Sequence, residues 1–192
     1  MFFFIPVFLP NPAQVDSAVR KTSRPRVIPR LPDPNSPHRQ FTSSVTLPEC
    51  PQLKILRIDD SLYFESVSYV REMLRLFREH YPDQNHLLLL TKGINQVDVA
   101  GSELLVSEAG LRRQMGGNLY LYRLKDSACD VLERSGYMDV LNREHIYGSK
   151  EEAIGKIFEN LDKDICKNCD KRIFLECKKI PYSEPNEIEG GS

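Results

Sequence analysis

Apolar residues recur along this chain with two different periods. Leu87-Leu88-Leu89-Leu90 is a short continuous run between polar neighbours, the pattern of a strand buried on both faces. Leu53-Lys54-Ile55-Leu56-Arg57-Ile58 and Leu119-Tyr120-Leu121-Tyr122 read as further strands, rich in branched and aromatic side chains. Leu62-Tyr63-Phe64 extends the sheet after an Asp59-Asp60-Ser61 turn, and His145-Ile146-Tyr147 gives a last short strand. Between these runs the period changes to that of a helix. Val67, Val70, Met73, Leu74 and Phe77 predict a helix from a Ser66 cap to His80. A second helix opens at Asp98, carries Ala100, Leu104, Leu111 and Met115 on one face, and stops at Gly116-Gly117. Asp126 caps a short third helix with Val131 and Leu132, closed by Gly136. Ser149 and Glu152 form a capping box for a fourth, whose apolar face is Ala153, Ile154, Ile157, Phe158 and Leu161. Strands alternating with helices predict an α/β fold with a mainly parallel or mixed sheet.

The ends of the chain lack this order. Seven prolines between Pro6 and Pro34 deny a long helix to residues 1–36, which read as a Pro-rich basic linker with Arg20, Lys21, Arg24, Arg26 and Arg30. The organised domain is expected at 37–161, a cysteine-containing tail at 162–180, and a polar, acidic, disordered end at 181–192. A chain of 192 residues with 41% hydrophobic residues can bury a real core. A net charge of −1 argues against a nucleic-acid partner. Phe2-Phe3-Phe4-Ile5 has no charged flank and meets Pro6, so neither a secretory signal nor a spanning helix is expected there. A cytoplasmic location follows as the default.

Few residues suggest chemistry. His38, His80, His86 and His145 show no paired spacing, no glycine-rich phosphate loop is present, and Glu103 and Glu108 read as a solvated helix face. No enzyme activity is expected. Asp98 suits a helix N-cap. A phosphoryl switch at that terminus needs a hydroxyl in the first turn, where Val99, Ala100 and Gly101 stand; Ser102 comes about one turn in. The remaining cluster is Cys166-Lys167-Asn168-Cys169 with Cys177. Three thiolates can hold a soft metal such as Zn²⁺ if Cys50, Cys129 or a histidine completes the set. They can also form a redox pair favoured by Lys163, Lys167 and Lys171, or remain a reduced tail docked by Ile173 and Phe174, with Arg172 and Glu176 paired along a helical turn. No cofactor is expected elsewhere.

Five local motifs, in order, carry a resemblance to a known family: Thr22-Ser23-Arg24-Pro25-Arg26-Val27, Leu62-Tyr63-Phe64-Glu65-Ser66, Val97-Asp98-Val99-Ala100-Gly101, Leu132-Glu133-Arg134-Ser135-Gly136-Tyr137, and the run from Cys166 to Cys177. Together they resemble the STAS domain (sulfate transporter and anti-sigma factor antagonist), most of all the cytoplasmic C-terminal domain of bacterial SulP-family anion permeases. The resemblance implies a mixed sheet of four or five strands with helices mostly on one face. It implies a non-catalytic regulatory domain of a sulfate- or bicarbonate-class transporter, at the inner face of the cell membrane, whose partner is a transmembrane domain or another cytosolic protein. The alternatives are a free-standing STAS protein in anti-sigma partner switching and a cysteine-based metal or redox protein. In the antagonist branch a phosphorylated Ser directly follows the Asp of the D-x-x-G loop; here Val99 stands there, which favours the transporter branch. Lys92, Asn95, Gln96, Asp98 and Ser102 are the candidate partner-contacting residues, and Cys166, Cys169 and Cys177 the candidate metal ligands.

Overall fold

Leu87 to Leu90, with His86, form the buried middle strand of a five-stranded sheet. The computed structural model describes residues 24–44 and 46–181. The apolar stub before Val19, Thr22-Ser23 of the linker motif and the acidic end after Pro181 lie outside the described residues. The strands of the sheet are β1 (Arg26–Pro29), β4 (Leu53–Asp59), β5 (His86–Leu90), β6 (Leu119–Tyr122) and β7 (Ile146–Tyr147), in that spatial order. β4 to β7 run parallel, and β1 pairs antiparallel with β4. A separate two-stranded ribbon joins β2 (Leu31–Pro32) to β3 (Phe41–Thr42).

The helices are α1 (Phe64–His80), α2 (Val99–Gln114), α3 (Asp126–Arg134), α4 (Tyr137–Leu141), α5 (Lys150–Asn160) and α6 (Lys163–Lys167), with 3-10 turns at Arg143–His145 and Leu175–Lys179. Alternate residues of each strand face opposite sides of the sheet, so the strands feed two cores. Leu56, Ile58, Leu87, Leu89, Leu119 and Leu121 pack against α1 to α4. Leu53, Ile55, Leu88, Leu90 and Tyr120 pack against α5 and the returning tail, through Ile157, Phe158, Ile173 and Phe174. Each fully buried Leu or Ile contributes about 1.5–3 kcal/mol. This explains why the central strand needs four leucines and not an alternating pattern.

Several expectations change. Residues 26–29, read as linker, are an edge strand: proline forbids a central strand but not an outer one, and Arg30 N–H still donates to Ile55 O (2.9 Å). Leu62-Tyr63-Phe64 is not a strand. Leu62 makes one isolated parallel bridge to Val97, and α1 already begins at Phe64. Tyr63 is the cap position, and Ser66 serves from inside the first turn by accepting the Tyr63 N–H (3.0 Å). Asp126 likewise lies within α3, with Lys125 at the cap. Ser149 does cap α5, accepting from Glu152 N–H (3.1 Å). The acidic face of α2 is also different: Glu108 and Arg112 are buried while Leu111 is 40% exposed.

Candidate functional site

Two loops meet at the C-terminal ends of β4 and β5, and Asp98 binds them together. It occupies the N-cap of α2, where its Oδ1 accepts the Gly101 N–H (2.8 Å). Its Oδ2 accepts the Phe64 N–H (2.9 Å), the first amide of α1. One carboxylate therefore satisfies amides at two helix starts and faces the positive end of both dipoles. The backbone repeats the link: Asp98 N–H donates to Leu62 O (3.1 Å) and Leu62 N–H to Gln96 O (2.9 Å). Gly101 permits this approach, because a Cβ there would lie 2.3 Å from Leu62 O. The glycine of the D-x-x-G motif thus has a packing reason.

The candidate residues separate around this junction. Lys92, Asn95 and Gln96 are exposed on the loop after β5. Asn95 Oδ1 accepts from Lys125 Nζ (3.0 Å), and Gln96 accepts from the Tyr63 hydroxyl. Ser102 does not belong with them. It is fully buried, and its Oγ donates to Asp98 O (2.9 Å), so it cannot meet a partner. Two further residues beside the junction are exposed that sequence reasoning did not single out. Phe64 is 75% exposed and Val99 is 55% exposed, and each is the first residue of a helix whose start Asp98 holds. Their signal was present as large apolar residues beside an N-cap, but the strand reading of Leu62-Tyr63-Phe64 concealed it. The junction thus exposes two apolar side chains, Phe64 and Val99, together with Lys92, Asn95 and Gln96. A more basic cleft lies beside it, where Arg26 and Arg57 both reach Asp59 (3.5 and 2.5 Å).

At the opposite end of β5, the fold unites two histidines that the sequence left scattered. His86 Nδ1 lies 3.3 Å from the Tyr120 hydroxyl, and the His145 ring packs 4.8 Å from the Tyr120 ring. Burial pushes both imidazoles below their usual range, with Arg112 adding to the effect at His86.

The cysteines of the tail also gain a neighbour. Cys166 on α6, Cys169 just after it and Cys177 on the last 3-10 turn line one small cavity with Cys50, which precedes β4. No spacing in the sequence links Cys50 to the others. Gln52 fastens the tail there: its amide accepts the Asp162 N–H (2.8 Å) and donates to Asp162 O (3.0 Å) and Cys166 Sγ (3.4 Å). Arg172 and Glu176 do not share a helical turn, because Arg172 is left-handed (φ 38°) and its guanidinium donates to the carbonyls of Cys177 and Ile180. Burial pushes the Cys50 thiol up to about 12 and raises those of Cys166 and Cys177. That direction opposes the reactive thiolate a redox pair requires. Among the described residues, no group of three or more His, Cys, Asp or Glu side chains is placed to hold a metal ion.

A mostly parallel sheet with an antiparallel edge strand and paired helix starts at one end defines an α/β domain of a particular class. The chain belongs to the STAS domain family, whose model matches residues 44–153. Its fold is similar to that of the murine Slc26a9 anion transporter in the inward-facing state (TM-score 0.65, 15% identity), over 76% of this chain and 24% of that one. It is also similar to a sulfate transporter family protein from Wolinella succinogenes (TM-score 0.51, 17% identity), over 67% of this chain and 97% of the other. A putative anti-sigma factor antagonist from Thermotoga maritima also matches (TM-score 0.48, 18% identity), over 55% and 87% of the two chains. The chain thus spans about a quarter of the length of the Slc26a9 transporter. No curated protein sequence matches it. Among the described residues, no helix is long and apolar enough to cross a membrane.

Proposed function

We propose that this chain is a non-catalytic regulatory domain of a SulP-type inorganic-anion transporter, of the sulfate or bicarbonate class, held at the cytoplasmic side of the membrane. Its working surface is the junction around Asp98, with Phe64, Val99, Lys92, Asn95 and Gln96 facing a transmembrane domain or an adjoining cytosolic one. The observation that carries this reading is Val99. It stands exposed immediately after the capping Asp, where a phosphorylation switch needs a hydroxyl, and it offers instead an apolar contact. Ser102, the nearest hydroxyl on the helix, is sealed in the core. The family membership is compatible with this choice, and the likeness in fold to an anion transporter and a sulfate transporter family protein supports it.

The test is anion uptake by a SulP-type membrane domain carrying this chain as its STAS domain. Lys92→Glu and Phe64→Glu replace exposed residues, so the melting curve should move little, by about 0.5 kcal/mol or less. Glutamate at the first position of α1 even suits the helix dipole. Both variants should alter uptake of sulfate or bicarbonate. Normal uptake by both, with the domain folded, removes the regulatory assignment from this face.

A further inference from the structure

Four of the five cysteines stand around one cavity of about 20 Å³, enough for a single water molecule or ion. They come from two places in the chain: Cys50 from the loop before β4, and Cys166, Cys169 and Cys177 from the tail. The fifth, Cys129, sits on α3 against the other core.

The groups around the sulfurs say more than the sulfurs alone. The Gln52 side-chain amide donates to Cys166 Sγ (3.4 Å). A neutral thiol is a weak acceptor and gains little from such a donor. A metal-bound thiolate keeps its negative charge and needs it, as ligating side chains commonly do. Lys171 and Arg172 also line the cavity, and Lys163 bears on Cys166. A divalent ion with four thiolates has a net charge of about −2, which these cations offset.

We propose that Cys50, Cys166, Cys169 and Cys177 together bind one soft divalent metal ion of the Zn²⁺ class, with Cys50 as the ligand that ties the tail to the sheet. The sulfurs turn inward by side-chain rotation to reach bonds of about 2.3 Å. Binding releases the thiol protons and joins the segment after Asp162 to the loop before β4. The role is structural: all four positions are filled by protein, with none left open for a substrate.

The experiment uses the full chain, purified under reducing conditions and loaded with Zn²⁺ or Co²⁺. The expected content is about one equivalent of metal per chain. The Co²⁺ form should show thiolate charge-transfer absorption and tetrahedral d–d bands. In the Zn²⁺ form only Cys129 should react with a thiol reagent, and all five cysteines should react after chelation. Cys50→Ser and Cys177→Ser should each weaken metal binding at least about tenfold, whereas Cys129→Ser should not. Should the Cys50 variant not fold, thiol protection in the unaltered chain still decides the matter. Metal below about a tenth of an equivalent with all thiols reactive overturns the proposal. So does a Co²⁺ spectrum that Cys50→Ser leaves unchanged.

Discussion

Asp98 shows how one side chain can serve two helices. A single N-cap aspartate contributes about 1 kcal/mol. Here both carboxylate oxygens are used, one on Gly101 N–H and one on Phe64 N–H. Asp98→Ala should therefore cost about 2 kcal/mol in urea denaturation, near the sum of two caps. Asp98→Asn keeps one carbonyl oxygen and should lose about half as much. A loss of only about 1 kcal/mol for the alanine variant would show that the Phe64 contact adds nothing. Gly101 belongs to the same junction. Gly101→Ala should destabilise by about 1–3 kcal/mol, because its methyl must displace the Leu62 carbonyl. A melting temperature unchanged by that substitution would contradict the close packing.

At the scale of the element, α2 is unusual in burying charge beside its leucines. Arg112 Nε donates to Glu108 Oε1 (2.7 Å), its Nη1 donates to Gln84 O (2.7 Å), and Arg78 of α1 reaches the other oxygen of Glu108. Burial draws the Arg112 guanidinium below its usual range, and Glu108 opposes that. Removing one partner of such a pair leaves the other buried and uncompensated, at a cost of about 3–5 kcal/mol. Glu108→Leu should show a loss of that size by equilibrium unfolding. The double variant Glu108→Leu with Arg112→Met should be more stable than Glu108→Leu alone, since the stranded cation is gone. If the double variant is the weaker of the two, the cost lies in lost packing and not in the unpaired charge.

For the whole molecule, the two histidines on Tyr120 predict how stability follows pH. Both have folded-state values below the unfolded one, chiefly through burial. Below the ordinary histidine value of about 6.5, the unfolded chain therefore binds more protons than the folded one. Stability is full above that value and is lost as pH falls through and beneath it. Urea midpoints should drop between about pH 7.5 and pH 5, a range above the titration of ordinary carboxylates. Removing the titration should flatten the curve, so His86→Gln combined with His145→Gln should depend less on pH. An equally steep dependence in that variant would assign the effect to other groups.

The sequence by itself determined the ladder of strands and helices, because periodicity is a local record of burial. Leu87 to Leu90 must be central, since four consecutive apolar residues need two cores. Asp98 had to be a cap, since the residues after it leave its first-turn amides unpartnered. The resemblance to the STAS domain was legible for the same reason, in short motifs that keep their order, and family membership upheld it. What tertiary structure alone decided was every contact between residues distant in the chain. Arg26–Pro29 became a strand because β4 offered an edge, not because its own residues prefer one. Glu108 looked solvated because one of its partners, Arg78, lies thirty residues away and Gln84, which holds its other partner Arg112, is nearly as distant. Ser102 looked available until α2 turned it inward, and Phe64 looked like part of a strand until α1 began with it facing out. Cys50 stands more than a hundred residues from the cysteines it joins, and only the return of the tail across β4 and α5 brings them to one cavity. Local pattern records whether a side chain is buried; the identity of its partner depends on chain path, which no short stretch encodes.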